Sequence, residues 1–107
     1  MVKVLVVLQK KEGMTRAEFR RYWRDVHGPI GARMPGVRRY VQNHVLADGA
    51  PFDGVAEMWF DSPADMQAVF TSEAAAEAAR DVANFLSGTQ VVMVEEVEME
   101  LTAGSCK

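Results

Sequence analysis

The chain has 107 residues, of which 49 % are apolar and 25 % are charged, and its formal net charge is −3. This length fits one domain with one core, and the negative charge argues against nucleic acid as a partner. The apolar run from Val4 to Leu8 near the N-terminus is too short for a signal peptide or a membrane span. We therefore expect a single cytoplasmic domain that has neither a nucleic-acid partner nor a membrane partner.

The cysteine and histidine content restricts the chemistry further. Cys106 is the only cysteine, and its Ala-Gly-Ser-Cys-Lys setting predicts a flexible tail over residues 103–107 that follows one domain over residues 1–102. The two histidines, His27 and His44, have no metal-ligand spacing, and no paired cysteines or compact acid cluster accompany them. No glycine-rich phosphate loop is present. We predict no metal site and no cofactor.

The first half of the chain predicts a strand, a helix and two more strands. Val2 to Gln9 is an apolar, β-branched run that is typical of a buried strand. Thr15-Arg16-Ala17-Glu18 has the spacing of a capping box, and Phe19, Trp23, Val26 or His27, and Ile30 follow at helical spacing. Gly28-Pro29 should break or redirect this helix. After a turn at Met34-Pro35-Gly36, Val37 to Leu46 alternates as a strand, residues 47–53 form a loop, and Gly54 to Asp61 is a third strand.

The second half predicts two helical segments and a last strand. Ser62-Pro63-Ala64-Asp65 combines an N-cap serine, a proline at the first helical position and an acid in the first turn. A second segment starts at Ser72, runs to Leu86 and is closed by Gly88, and Thr89 to Leu101 is the last strand. The order is β-α-β-β-α-β, the ferredoxin-like split βαβ arrangement of the α+β class, with a four-stranded antiparallel sheet and helices on one face.

Several stretches resemble the EthD-like family of the dimeric α+β barrel superfamily. The most specific of them is Tyr22-Trp23-Arg24-Asp25-Val26-His27-Gly28-Pro29, which ends the match that begins at Met14. Supporting stretches are Arg39 to His44, Phe52 to Phe60, and Ala83-Asn84-Phe85-Leu86. The resemblance implies a homodimer in which two sheets pack face to face into a barrel. It also implies cofactor-free proton transfer in a cavity between sheet and helices, and it implies no specific substrate.

His27 is the first candidate for proton transfer. It lies on the apolar stripe of a basic helix, four residues after Trp23, so that an imidazole is placed where a cavity between helix and sheet would be. The alternative is a structural imidazole at the C-terminal end of a helix, where the macrodipole favours the charged form. The family resemblance favours the catalytic role.

The second predicted strand carries an unusual polar face. Tyr40, Gln42 and His44 alternate with valines, and Tyr40 and His44 are separated by about 13 Å of strand rise, which suits residues that line one pocket. We predict that Tyr40 and His44 polarise or orient a substrate, with Gln42 between them. The alternative for Tyr40 is an amphipathic residue at the dimer interface.

Further residues are predicted to bind the substrate. Trp59 could form a wall for an aromatic ring, although a tryptophan in a small domain is more often a core or dimer contact. Glu57 lies on the same strand face, and a buried acid there would need Arg38 or Arg39 as its partner. Asn84 and Phe85 either close one side of the cavity or simply end a helix. The predicted substrate-binding set comprises Trp23, Gln42, Glu57, Trp59, Asn84 and Phe85.

These patterns lead to one main hypothesis and two alternatives. The chain is expected to be a cofactor-independent enzyme that performs acid–base chemistry, of the isomerase, cyclase, decarboxylase or lyase type, on a small ring-containing or aromatic compound. His27 would move the proton. A non-catalytic or stress-related dimer that holds a small molecule is the first alternative, and a cofactor-free oxygenase is the second. A cavity of about 300 Å³ near His27 and Tyr40 is required by the first two.

Overall fold

Four strands form one antiparallel sheet, as the alternating and continuous apolar runs predict. The computed structural model describes residues 1–102, and the predicted tail with Cys106 lies outside the described residues. The strands are β1 (Val2–Lys10), β2 (Arg39–His44), β3 (Gly54–Phe60) and β4 (Leu86–Val94), and their order in the sheet is β2-β3-β1-β4. All neighbouring pairs are antiparallel. The ferredoxin-like βαββαβ arrangement is thereby confirmed.

The first helical segment begins with the predicted capping box. In α1 (Arg16–Tyr22), the Thr15 hydroxyl accepts from the Glu18 backbone N–H at 3.1 Å, and the Glu18 carboxylate accepts from the Thr15 N–H at 2.8 Å. A π-helical turn over Trp23–His27 follows, and α2 (Gly28–Ala32) continues directly from it. These bonds satisfy two of the backbone donors that a helix start leaves free.

Gly28-Pro29 redirects the helix without ending it. The regular α-helix stops at Tyr22, and the Gly28 N–H donates to the Trp23 carbonyl across the wider π-turn. Pro29 follows in the first turn of α2, where it has no N–H to donate to the preceding turn. The predicted break is therefore a change of helical register, and the helical path extends to Ala32.

The second helical segment also starts at its predicted caps. Ser62 accepts from the Asp65 N–H at 3.1 Å before α3 (Pro63–Phe70), and Ser72 accepts from the Ala75 N–H at 3.2 Å before α4 (Glu73–Asp81). A short 3-10 turn over Val82–Asn84 completes the segment.

The predicted boundary between this segment and β4 is wrong. Gly88 does not close the helix but lies inside β4, which starts at Leu86 and ends at Val94 and not at Leu101. Phe85 and Leu86 are only 0 % and 7 % exposed, and they lie where the chain passes from the 3-10 turn into the strand. The Phe85 carbonyl also accepts from the Lys11 N–H at 2.8 Å, and β1 pairs with β4 through a bulge at Gln9 and Lys10. The acidic residues 95–100 lie beyond the strand and are exposed.

The helices cover one face of the sheet, here termed the helix face, and leave the other face, termed the open face. Two clusters of buried side chains fill the space between helices and sheet, and their buried members are Val4, Leu8, Phe19, Trp23, Met34, Ala56, Met58, Phe60, Val69, Ala75, Phe85 and Leu86. Trp23 lies directly on the backbone of Gly54, where a Cβ atom would be 2.5 Å from the indole ring. Within residues 1–102, no helix has both the length and the apolar character that crossing a membrane requires.

Candidate functional site

A cavity of about 310 Å³ lies between the helix face of the sheet and the surrounding helices. Its walls are mostly apolar, and they include Leu8, Met58, Ala78, Val82, Leu86 and Val91. The polar groups among its lining residues come from His27, Tyr40 and Thr89, and Trp23 contributes its indole. A mostly apolar cavity of this size with a few polar groups is typical of small-molecule sites. The cavity required by the sequence-based hypothesis is therefore present.

His27 is held at the cavity wall by a carboxylate. Its Nδ1 lies 2.8 Å from Oδ2 of Asp81, at the end of α4, and the two side chains are only 13 % and 11 % exposed. A carboxylate oxygen can only accept a hydrogen bond, so the neutral imidazole carries its proton on Nδ1. The lone pair is thereby assigned to Nε2. This arrangement fixes the tautomer of a potential general base.

Asp81 is itself held in place from two other directions. Its Oδ1 accepts from the Tyr22 hydroxyl at 2.6 Å and from the Asn84 amide at 2.9 Å. Burial acts to raise the pKa of Asp81, but the hydrogen bonds from Tyr22, Asn84 and His27 outweigh it and hold the pKa below its usual value. Asp81 is therefore an anion beside His27 at neutral pH. Burial and the neighbouring carboxylate raise the pKa of Tyr22, so that its hydroxyl stays a donor.

Phe85 supports the imidazole from behind. The ring centroids of His27 and Phe85 are 4.7 Å apart, and Phe85 is fully buried between α1 and the sheet, with Tyr22 and Phe19 also in ring contact with it. Neither Phe85 nor Asn84 is among the residues that line the cavity. Both act on His27 from outside, one by packing and one through Asp81.

Tyr40 lies under α2 on the helix face and lines the same cavity as His27. A Cβ atom at Gly31 would be 3.4 Å from the Tyr40 ring, so the glycine allows the helix to lie directly over the ring. Burial raises the pKa of Tyr40, while hydrogen bonds with Gln42 and Trp23 act to lower it. The phenol is therefore protonated over the physiological pH range. Its position is in the cavity wall and away from the open face.

Gln42 and His44 continue from Tyr40 along β2 as a hydrogen-bonded chain. The Gln42 amide nitrogen is 3.2 Å from the Tyr40 oxygen and 2.9 Å from the Trp23 carbonyl oxygen, and His44 Nε2 is 2.9 Å from Gln42 Oε1. The His44 ring also packs on the Trp23 ring at 4.6 Å. Neither Gln42 nor His44 lines the cavity. Burial, followed by the charges of Arg20 and Arg24, lowers the pKa of His44.

The structure thus brings three of the predicted site residues to one cavity and places the others elsewhere. Trp23, His27 and Tyr40 line the cavity. Gln42 and His44 lie behind Tyr40, whereas Asn84 and Phe85 lie behind His27. Glu57 and Trp59 are on the open face, on the other side of the sheet, because they are odd-numbered residues of β3 and alternate with the cavity-lining Ala56 and Met58.

Glu57 and Trp59 belong to a charged cluster on the open face. Glu57 forms an ion pair with Lys3 and accepts from the Asn43 amide at 2.9 Å, so its partner is Lys3 and not the expected Arg38 or Arg39. Lys3 first and Asn43 second lower the pKa of Glu57. The cations of Lys3 and Arg39 lie 4.9 and 4.6 Å from the Trp59 ring. Arg38 pairs instead with Asp61.

Asp81 is a residue of the candidate site that the sequence interpretation missed. It is separated from His27 by 54 positions, and its neighbours Arg80 and Val82 give no pattern that marks it. Only the position of α4 beside the π-turn brings the two together. The one available signal is Ala83-Asn84-Phe85-Leu86, which directly follows Asp81 and Val82 and is one of the stretches that resemble the EthD-like family.

Two further observations complete the description of the site. In residues 1–102, no group of three or more histidine, cysteine, aspartate or glutamate side chains is arranged to hold a metal ion. A second cavity of about 380 Å³ involves Val7, Gln9, Pro51, Phe52 and Gln90, and none of its lining residues is a histidine, an acid or a tyrosine. Of these two cavities, the one beside His27 has both a histidine and a tyrosine in its wall, and it is the candidate site.

Comparisons with known proteins agree with this fold and with the matched stretches. The EthD domain model matches residues 11–89. A protein of 11.0 kDa from the thcB-thcC intergenic region of Rhodococcus erythropolis is 31 % identical over 88 residues, which cover 79 % of this chain and 85 % of that protein.

Two solved structures show the same fold at low sequence identity. An EthD family protein of Bacillus halodurans superposes with a TM-score of 0.79 at 19 % identity, covering 91 % of this chain and 99 % of the other. A dimeric protein with a ferredoxin-like fold from Bacteroides fragilis gives a TM-score of 0.70 at 14 % identity, covering 89 % and 95 %.

Proposed function

Because the chain belongs to the EthD family and holds a carboxylate-oriented histidine at the wall of an apolar cavity, we propose that it is a cofactor-independent acid–base enzyme. Its substrate would be a small ring-containing compound that binds between the sheet and the helices. The observation that carries this proposal is the 2.8 Å contact between His27 Nδ1 and Asp81 Oδ2.

The proposed reaction starts with removal of a proton from carbon by Nε2 of His27. Asp81 keeps the second ring nitrogen protonated and stabilises the imidazolium that forms. The same imidazolium then returns the proton to another atom of the substrate, which gives an isomerisation, cyclisation or lyase outcome according to the compound. Such a positioned base contributes about 10²–10⁴-fold to a rate, which suits carbon acids that a neighbouring carbonyl already activates.

Tyr40 is proposed to bind the oxygen of that carbonyl. It lines the same cavity as His27 and is protonated at neutral pH, so it can stabilise negative charge that develops on oxygen as the proton leaves. Trp23, Met58 and Leu86 would supply apolar walls for the ring. The open-face residues Glu57 and Trp59 have no part in this site as proposed.

Deuterium exchange tests the proposal without knowledge of the natural substrate. In D₂O, the enzyme should accelerate loss of the α-proton signals of at least one of 2-indanone, 2-tetralone and α-angelica lactone, measured by proton NMR. His27→Gln should remove the acceleration, whereas Arg24→Gln, on the exposed side of the same turn, should keep it. If His27→Gln still accelerates the exchange, the assignment of His27 as the base is wrong.

A non-catalytic small-molecule carrier is the second candidate, because the cavity walls are mostly apolar. The same NMR samples separate the two. Chemical-shift changes at Met58 and Leu86 on addition of 2-tetralone, without exchange of its α-protons, would favour the carrier. Oxygen uptake with a bound compound, followed with an oxygen electrode, would instead favour a cofactor-free oxygenase.

We also propose that two copies associate through their open faces. The related Bacteroides fragilis protein is described as dimeric. In this chain, Leu5, Val7, Val41 and Val55 are half-buried residues of the open face, and the neighbouring charges of Lys3 and Glu57 already neutralise each other. If a second sheet covered this face, Lys3 and Glu57 would remain paired with each other, and Arg39 would remain over the Trp59 ring.

A further inference from the structure

Gln42 contacts three groups whose hydrogen-bonding roles can be worked out from chemistry alone. Its amide nitrogen lies 2.9 Å from the Trp23 carbonyl oxygen, and a carbonyl can only accept. The reverse orientation would set two acceptor oxygens against each other. The Trp23 carbonyl therefore fixes which end of the Gln42 amide is the NH₂ group, independently of how similar the two ends are in shape.

This orientation determines the role of Tyr40. The second N–H of Gln42 is directed at the Tyr40 oxygen, 3.2 Å away, so that Tyr40 accepts from the protein at this bond. The hydroxyl proton of Tyr40 is not used in it. Because the Tyr40 side chain lines the cavity, a bound molecule is the natural acceptor for this proton.

His44 secures the other end of the amide. Gln42 Oε1 can only accept, so His44 must carry its proton on Nε2, 2.9 Å away. Nδ1 of His44 is buried and has no hydrogen-bond partner, which a neutral ring tolerates as an unused lone pair. The protonated ring would bury an unsatisfied N–H there at a higher cost. The His44 ring packs against the Trp23 ring at a tilt of 40°, so two neighbours of Gln42, His44 and Trp23, hold each other in place.

Gly28 allows this arrangement. A Cβ atom at position 28 would lie 2.7 Å from the Gln42 amide nitrogen and 2.9 Å from the Trp23 carbonyl oxygen, so a side chain there would displace the Gln42 amide from this carbonyl. The π-turn places this glycine beside the Trp23 carbonyl that Gln42 contacts. Three features of the first helix, namely the turn, the glycine and the carbonyl, thus converge on one side chain of β2.

We infer that Gln42, secured by His44, is a positioning residue that keeps the Tyr40 hydroxyl proton available to the ligand, so that this wall recognises a hydrogen-bond acceptor such as a carbonyl, carboxylate or phenolate oxygen. The inference rests on the proposed function for the site, but it concerns the direction of one hydrogen bond and not the occurrence of turnover. It also changes the role expected for His44, which acts through Gln42 and does not touch the substrate.

Raman spectroscopy of a single tyrosine tests the direction of the bond. The chain has two tyrosines, so Tyr22→Phe leaves Tyr40 as the only one. The intensity ratio of its Fermi doublet near 850 and 830 cm⁻¹ distinguishes an acceptor hydroxyl from a donor hydroxyl. We expect an acceptor-type ratio in the Tyr22→Phe protein without ligand. A donor-type ratio there overturns the inference, because the proton would already be used within the protein.

Two substitutions of Gln42 extend the test. In Tyr22→Phe with Gln42→Glu, a carboxylate replaces the donor, so Tyr40 should donate to it and the ratio should become donor-type. In Tyr22→Phe with Gln42→Met, which has similar size and no polar hydrogen, Tyr40 keeps its hydrogen bond with Trp23, so the ratio should move only part of the way towards the donor type. An unchanged ratio in both double variants would contradict the inference. If neither folds, the spectrum of Tyr22→Phe alone still decides it.

Ligand selectivity gives the functional readout. Acetophenone and α-methylstyrene have nearly the same shape, but only the ketone has an acceptor oxygen. The protein with native Gln42 should prefer the ketone about three- to tenfold, as one hydrogen bond allows, and Gln42→Glu should remove the preference. A preference that persists in Gln42→Glu but disappears in Tyr40→Phe would exclude a role for Gln42. A different result would refute the proposed function, namely deuterium exchange that does not depend on His27.

Discussion

Trp23 lies so close to the backbone of Gly54 that no side chain can be placed between them. A Cβ atom at position 54 would be 2.5 Å from one ring carbon of Trp23 and 2.9 Å from another. Gly54 is the first residue of β3 and pairs with both Leu8 and His44. The strand is therefore fixed at its start, and Trp23 cannot move away because it is fully buried.

Gly54→Ala is expected to lower the free energy of unfolding by about 1–3 kcal/mol, as extra volume in a packed core does. Urea denaturation followed by tryptophan fluorescence measures the change. Gly88→Ala is the matched control, since a Cβ atom in that strand meets only the flexible Gln9 amide at 3.4 Å. Equal stability of the two variants would contradict the close contact.

Asp81→Asn is expected to reduce the exchange activity by about 10²–10⁴-fold, the range that a correctly protonated base contributes. The amide NH₂ opposite His27 Nδ1 would force the ring to accept there and to carry its proton on Nε2. Asparagine and aspartate have nearly the same size, so a loss of exchange activity would be due to the changed tautomer of His27. Nitrogen chemical shifts of a ¹⁵N-labelled imidazole show which ring nitrogen is protonated.

The same variant has a defined effect on stability. Because the pKa of Asp81 is lowered in the folded protein, its charged form stabilises the fold above the usual pKa of an aspartate, near 4. That contribution is lost as the pH falls further through the lowered value. The stability advantage of the native protein over Asp81→Asn should therefore shrink in acid. An advantage that is constant from pH 5 to pH 2 would count against the ionised carboxylate.

His44 is expected to make the fold less stable in mild acid. Burial and two arginines lower its pKa in the folded protein, so the unfolded chain takes up a proton more readily. The contribution of neutral His44 to the free energy of unfolding is fully present above about pH 6.5, and it is lost as the pH falls below that value. In His44→Asn, the decline in unfolding free energy between pH 7 and pH 5 should be shallower. Equal slopes in both proteins would contradict this origin.

Val7→Lys is expected to separate the proposed dimer. The residue lies on the open face near the middle of β1, where a second sheet would have to bury the new charge. Light scattering coupled to size-exclusion chromatography should give the mass of a single chain. Gln67→Lys adds the same charge on the exposed side of α3 and should leave the mass unchanged. A native protein of monomer mass at all concentrations would refute association.

Ala78→Leu is expected to fill part of the cavity without disturbing the sheet. Ala78 lines the cavity from α4, and the larger side chain replaces space that a ligand would occupy. Binding of acetophenone, measured by NMR titration, should weaken at least tenfold. Ala68→Leu, on the exposed side of α3, is the control. Undiminished binding to Ala78→Leu would place the ligand elsewhere.

Local signals account for most of the fold that could be predicted. Thr15-Arg16-Ala17-Glu18 and Ser62-Pro63-Ala64-Asp65 form their hydrogen bonds within one helical turn, so the pattern alone indicates them. The start of β4 could not be found in this way. Gly88 resembles a helix end, and the start of the strand depends on long-range contacts, namely the bond from the Lys11 N–H to the Phe85 carbonyl and the pairing of β4 with β1.

In the candidate site, too, the residues with a local signal could be predicted and those that depend on long-range contacts could not. His27 and Tyr40 could be predicted, because their residue types stand out against an apolar helix stripe and a valine-rich strand. Asp81 could not, because its role depends on a contact across 54 positions. The residue types of Glu57 and Trp59 also suit a binding site, but both side chains lie on the open face. Which face of the sheet the helices cover depends on packing between elements, and no single strand pattern contains that information.

The π-turn over Trp23–His27 also affects how this chain should be compared with its relatives. A π-turn holds one residue more than an α-turn, so every residue after it is shifted by one sequence position relative to a regular α-helix that occupies the same space. A related helix without the turn would match this one only if a single position were skipped, for example at exposed Val26. An ungapped alignment would then place the wrong residue opposite His27. Residues that occupy equivalent space should be identified here by superposition before sequence positions are equated.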